Sequence, residues 1–127
     1  MEISAQLIQS PFMELLGCYV VDLAEGQAKV GMNIVSSLLN RQGKLHGGAM
    51  FSLVDTAMGL ACSTSHGFDR SSVTLDSKIN YIRAVTEGEV VCLARVLHSG
   101  RLTLVVEAEV LQDNKLMAKA LATFITA

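Results

Sequence analysis

The segment Asn40-Arg41-Gln42-Gly43-Lys44-Leu45-His46-Gly47-Gly48 runs directly into the apolar stretch Ala49-Met50-Phe51-Ser52-Leu53-Val54-Asp55. A polar loop ends in two glycines and turns into a hydrophobic helix carrying one carboxylate about two turns in. The free amides of a helix start are partially positive. Glycines there let a ligand approach the backbone, so those amides can hydrogen-bond a carbonyl oxygen that gains negative charge as it reacts. Together with a nearby acid, this is equipment for chemistry on a carbonyl.

The helix predicted from Ala49 to about Ser63 is apolar nearly all round, except for one stripe. Ser52, Asp55, Thr56, Gly59 and Ser63 recur at three- and four-residue steps and form a narrow face of small and polar side chains. Such a face admits a second helix or backbone at close range. Asp55 can be read as a solvated surface acid, but Val54, Ala57 and Met58 beside it argue for a half-enclosed position. An enclosed carboxylate needs a hydrogen-bond partner or a task.

The elements that position these residues follow from the pattern along the chain. Ser10 is an N-cap with Pro11 in the first turn, and Gly17 ends a short helix from Phe12 to Leu16. Residues 19–23 and 27–34 flank Glu25-Gly26 as a hairpin. After the central helix, strands are predicted at 73–83, 89–97, 102–111 and 116–125, with turns at Glu87-Gly88, Ser99-Gly100 and Asp113-Asn114. In the first of these, Val73, Leu75, Ile79 and Tyr81 alternate with Thr74, Asp76, Lys78 and Asn80, which predicts opposite faces for the two sets. Val90 to Ala94 and Leu104 to Val106 are apolar at consecutive positions, which predicts cover on both of their faces.

Composition excludes several classes. With 127 residues, half of them apolar, and ten Lys plus Arg against twelve Asp plus Glu, the chain reads as one domain, 1–127, with a modest core and a net charge of −2. It has no basic block or basic aromatic face for nucleic acid. Cys18, Cys62 and Cys92 are widely spaced among apolar neighbours, as buried thiols in a reducing compartment would be. Met1-Glu2-Ile3-Ser4 does not read as an export signal, and no apolar stretch is long enough to span a bilayer, so a soluble, cytoplasmic protein is expected. His46, His66 and His98 lack metal-ligand spacing, so neither metal nor other cofactor is expected.

Asn40-x-x-Gly43-x-x-His46-Gly47-Gly48, followed by six residues and Asp55, resembles the active-site segment of the hotdog-fold acyl-CoA thioesterases, in the branch named for phenylacetic acid degradation. Ser10-Pro11-Phe12 with Leu16-Gly17, the hairpin around Gly26, Val73 to Arg83 and Ser99-Gly100-Arg101 fall in the order and spacing of that branch, so the resemblance covers nearly the whole chain. It implies an α+β hotdog fold: a curved antiparallel sheet wrapped around a central helix, about residues 48–64. It also implies subunits joined edge to edge through their sheets, in homodimers that commonly pair into homotetramers, and an acyl-CoA substrate hydrolysed to free acid and CoA.

The resemblance implies roles for particular residues. The Gly47 amide would polarise the thioester carbonyl, Gly48 would support the turn, and Asp55 would act as general base on water or as a nucleophile forming a mixed anhydride. Thr74 stands where the family places a hydroxyl that orients the water or the carboxylate, and Asn40 where an amide side chain contacts the reacting centre. His46 either pins the loop through its ring nitrogens or moves a proton. Arg83 and Arg101, with Arg70 and Lys78 behind them, are candidates for the CoA phosphates and equally readable as ordinary surface charges. Phe12, Leu15, Leu16, Met50, Phe51, Val54 and Met58 are expected to line an acyl pocket for an aryl, aryl-acetyl or medium-chain group.

Geometry adds a requirement of its own. Gly47 and Asp55 lie roughly 10 Å apart along a helix axis, yet both must come within about 3 Å of one reacting group or its attacking water. Two helices related by a two-fold axis meet that demand. Two shared sites per dimer are therefore predicted, with Asn40, His46, Gly47 and Gly48 from one subunit and Asp55 and Thr74 from the other. Three other readings compete. An acyl-CoA hydratase or dehydratase would need a different Asp/His arrangement, and a non-catalytic acyl-CoA sensor would carry a DNA-binding domain for which the chain has no room. A purely structural module would show no turnover.

Overall fold

Ser10 Oγ accepts a hydrogen bond from the Met13 amide at 3.2 Å, Pro11 opens the first turn, and Gly17, at φ 75°, turns the chain out of helix α1 (Pro11–Leu16). The computed structural model describes residues 8–68 and 70–126; Met1-Glu2-Ile3-Ser4 lies outside them. Strands β1 (Cys18–Ala24) and β2 (Gln27–Asn33) form the expected hairpin, with Gly26 in the left-handed conformation at its turn. The long helix α2 (Gly47–His66) follows a short 3-10 turn and the polar loop. Strands β3 (Ser72–Tyr81), β4 (Glu89–Ser99), β5 (Thr103–Gln112) and β6 (Lys115–Thr126) complete one antiparallel sheet in the order β1-β2-β4-β5-β6-β3. Asp113 and Asn114 both adopt positive φ, as a two-residue turn between twisted strands requires.

The sheet curves around α2 in the hotdog arrangement. Leu53, Val54, Ala57, Met58, Ala61 and Cys62 of the helix are buried against Val90, Cys92, Leu104, Val106, Ala108 and Val110 of the sheet. These helix positions repeat at three and four residues and these strand positions at two, so one helix stripe meets one sheet face. The Ser52, Asp55, Thr56, Gly59 and Ser63 stripe lies on the other side and stays only partly buried.

Two expectations need correction. The helix begins at Gly47 and ends at His66, longer than predicted at both ends, because His46 caps its start and the last turn is held by the buried Thr64, whose hydroxyl donates to Ala61 O, and by Gly67 N–H donating to Ser63 O. Within one chain the consecutive apolar runs of β4 and β5 are covered on one face only, as expected where one helix cannot cover so much sheet alone. Val90, Cys92 and Ala94 point inward, whereas Val91 is partly accessible and Leu93 exposed. Finally, the alternation read along β3 is interrupted. Thr74 pairs with Phe124 and Asp76 with Thr123, which leaves Leu75 as an extra residue in a β-bulge. The bulge shifts every later side chain by one position, so Thr74 shares the inner face with Ser77, Ile79 and Tyr81.

Candidate active site

The loop before α2 is built to present its first turn. Asn40 Oδ1 accepts from the amides of Gln42 (2.9 Å) and Lys44 (3.1 Å), and the Asn40 amide donates to Lys44 O (2.7 Å). Leu45 N–H donates to Val85 O and His46 N–H to Leu38 O, which fastens the loop to its neighbours. His46 is the N-cap: its Nδ1 accepts from Gly48 N–H at 2.8 Å. A neutral ring accepting at Nδ1 carries its proton on Nε2. A Cβ on Gly48 would lie 3.0 Å from that same Nδ1, so glycine is what lets the ring close over the helix start.

The remaining amides of the turn are spoken for in turn. Ala49 and Met50 both donate to His46 O, at 3.0 and 3.2 Å. The Gly47 N–H is left without an acceptor among the described residues. It sits at the positive end of a 20-residue helix, and the doubly accepting His46 carbonyl polarises the peptide group to which that N–H belongs.

At the other end of the site, Thr74 Oγ1 donates to Asp55 Oδ1 at 2.5 Å. The bulge at Leu75 turns Thr74 onto the helix to make this contact. Asp55 is partly buried on the small-residue stripe, and its charge adds to the burial that pushes the Cys62 thiol up to about 12. Asp55 Oδ2 has no partner among the described residues.

Sequence reasoning missed Tyr81 as a member of the site. Its hydroxyl donates to Gly47 O at 2.9 Å, and its ring lies 3.4 Å from where a Cβ on Gly47 would stand. Desolvation raises the phenol above its ordinary value, which keeps it a donor across the working pH range. The sequence held the signal, an aromatic ending the strand that follows the helix, but only the folded chain brings that strand end beside Gly47.

Two shallow depressions flank the helix start. One, of about 260 Å³, is lined by Phe12, Leu16, Leu38, Leu39, His46, Gly48, Ala49 and Ser52. The other, of about 290 Å³, is lined by Asn40, Lys44, Gly47, Met50, Tyr81 and Arg83 among others. Arg83 Nη1 donates to Leu116 O at 2.7 Å, which holds the side chain along the β6 start. Arg101 is exposed in the β4–β5 turn, beside the strand end that carries Thr74 and away from Arg83. Of the expected acyl-pocket residues, Phe12, Leu16 and Met50 line these depressions and Leu15 is exposed. Val54 and Met58 are core residues, at 2% and 0% exposure, because they lie on the helix face that packs against the sheet. Phe51 is partly buried and lines neither depression.

Within one chain the predicted residues thus fall into two groups: Asn40, His46, Gly47 and Gly48 at the helix start, Asp55 and Thr74 further along. Among the described residues there is no cluster of three or more metal-ligating side chains, and no helix is long and apolar enough to cross a membrane.

A sheet wrapped on one helix, with an open amide at the helix start and a hydroxyl-bound carboxylate along it, describes a class of acyl hydrolase. The family model of the thioesterase superfamily matches residues 42–118, and the chain belongs to that superfamily, a hydrolase. It is similar to the solved structure of conserved protein PA5202 from Pseudomonas aeruginosa, with 56% identity and a TM-score of 0.97 over 98% of this chain and 100% of that one. A putative esterase of Archaeoglobus fulgidus is 38% identical over 112 residues, 87% of this chain and 71% of the relative. The acyl-coenzyme A thioesterase PaaI of Escherichia coli is 34% identical over 101 residues, 79% of this chain and 70% of the relative. The solved structure of E. coli PaaI, from the phenylacetic acid degradation operon, superposes with a TM-score of 0.89 at 28% identity, over 97% of this chain and 88% of that one.

Proposed function

We propose that the protein hydrolyses aryl, aryl-acetyl or medium-chain acyl-CoA thioesters to free acid and CoA, at two sites shared across a homodimer. The observation that carries this reading is the Thr74–Asp55 hydrogen bond, which presents a carboxylate with one oxygen held and the other open. The likeness to E. coli PaaI supports the substrate class.

The shared site follows from the sheet. β3 is an edge strand, and its Val73, Leu75 and Tyr81 side chains, with Ile82 just beyond it, are exposed in the single chain. An unpaired edge of this kind is a template for a second copy. Antiparallel pairing of two β3 strands about a two-fold axis between Ser77 and Lys78 sets Thr74 of one chain against Tyr81 of the other, at an interstrand spacing of about 4.8 Å. Asp55, tied to Thr74, then approaches the other chain's Gly47, tied to Tyr81. Dimers of this kind can pair again into tetramers.

The roles are those the chemistry needs. The Gly47 N–H donates to the thioester oxygen and holds the charge that develops there. Asp55 takes a proton from water as the water oxygen bonds to the acyl carbon; the carbon–sulfur bond then breaks and the CoA thiolate leaves. If Asp55 attacks directly, the same bond breaks to give a mixed anhydride that water later cleaves. Thr74 orients the carboxylate in either case. Asn40 shapes the loop through Oδ1 and leaves its NH2 group for the substrate, while Arg83 and Lys44, which line the depression beside Gly47, and the exposed Arg101 are the candidates for the CoA phosphates. An amide and a carboxylate suffice for this reaction, so no metal or cofactor is called for.

Thiol release from a panel of acyl-CoAs tests the reading. Turnover that survives EDTA is expected. Folded protein that releases no CoA from aryl or medium-chain substrates on prolonged incubation would leave a binding module as the better account.

A further inference from the structure

Gly47 is the softest point of the proposed oxyanion site. It is followed by a second glycine, it has no side chain to fix its peptide planes, and its amide is the one first-turn donor left open. Two side chains tie it down from outside. His46 Nδ1 holds the following amide, of Gly48, and Tyr81 Oη holds Gly47's own carbonyl at 2.9 Å. Tyr81 ends β3, the edge strand, so this bond links the helix start to the sheet edge on which the second half-site would ride. In the single chain Tyr81 is half-exposed, and the hydroxyl bond fastens its outer end to the helix start.

We infer that Tyr81 is a positioning residue for the Gly47 amide, aiming that N–H at the thioester oxygen through its hydroxyl bond to the Gly47 carbonyl. The inference rests on the reading that this amide polarises the substrate. Without the hydroxyl, the Gly47 carbonyl loses the one donor that reaches it from the sheet, and the Gly47 backbone is held less firmly. Preorganisation of the donor is lost, whereas the pocket wall and the sheet edge keep their shape, because a phenyl ring fills the same volume.

Tyr81→Phe separates the two roles. Expected is a kcat lowered roughly 10- to 100-fold, the cost of misaiming rather than deleting an oxyanion donor. KM should stay within about twofold and light scattering should show unchanged assembly. With selective 15N-glycine labelling, the Gly47 and Gly48 amide resonances should shift while those of Gly17 and Gly26 stay in place. A wild-type kcat, or a loss expressed through KM or through disassembly, overturns the positioning role. Asp55→Asn, measured in parallel, reports on the hydrolysis reading separately. An inactive Asp55→Asn beside a wild-type Tyr81→Phe removes the role of Tyr81 alone. A slowed Tyr81→Phe beside a fully active Asp55→Asn keeps that role and reassigns the base.

Discussion

Thr74 and Tyr81 stand seven residues apart on β3 and yet both reach the same helix, Thr74 to Asp55 and Tyr81 to the Gly47 carbonyl. An odd separation puts side chains on opposite faces of a regular strand. The extra residue at Leu75 cancels that parity, so one strand holds the helix at both places.

Replacing the carboxylate while keeping its shape isolates its chemistry. Asp55→Asn should lower kcat by roughly 10²–10⁴-fold with substrate binding largely intact, the usual worth of a positioned acid–base group. Thr74→Ala should cost less, since water can replace one hydroxyl. Steady-state kinetics on one acyl-CoA decides this, and a near wild-type Asp55→Asn would make the carboxylate structural.

Proline at Gly47 deletes the amide while respecting the backbone. The first helical position suits proline, and His46, at φ −62° and ψ 136°, already has the extended conformation required before one. Gly47→Pro should keep the fold by circular dichroism and lower kcat roughly 10²–10³-fold, the range for losing one oxyanion donor. Mixed with Asp55→Asn at equal amounts and allowed to exchange subunits, it should recover about a quarter of wild-type activity. Half of the dimers are then mixed, and each has one of its two sites intact. Verified mixed dimers with no recovery would place both residues in one site from a single chain.

The small-residue stripe predicts where assembly is sensitive. A Cβ on Gly59 would meet Phe124 at 3.7 Å, an ordinary contact, so the chain itself has room for a Cβ there. Gly59→Leu should nevertheless weaken the oligomer, because the stripe is left for another helix to approach. Light scattering over a dilution series reads this directly; an unchanged oligomer would move the interface elsewhere.

The three buried thiols predict a pH dependence. Burial pushes Cys18 up to about 11 and Cys62 and Cys92 up to about 12, against about 8.5 for a free thiol. Between those values the native state holds thiol protons that the unfolded chain has released, so stability is full below about pH 8.5 and falls as pH rises above it. Urea midpoints measured at pH 8 and pH 10 should show the loss, and Cys92→Ala should flatten it. At neutral pH, thiol reagents should label the three cysteines only after unfolding.

What the sequence alone determined were the features written in local chemistry. Ser10-Pro11 and Gly17 mark α1, Gly26 and Asp113-Asn114 mark hairpins because their backbones take positive φ, and His46-Gly47-Gly48 announces a helix start. The periodicity of α2 likewise separates a core face from the stripe that holds Asp55, although it does not reveal how fully Val54 and Met58 are buried against the sheet. Tertiary structure decided the rest. That β3 crosses to the far edge beside β6 is set by hydrogen bonds between residues some fifty positions apart, such as Thr74 and Phe124. A bulge exists only relative to a partner strand, so no pattern of alternation within Val73 to Tyr81 can show it. Tyr81 therefore reads as one more apolar strand residue until the sheet is assembled, and only then does its hydroxyl meet Gly47.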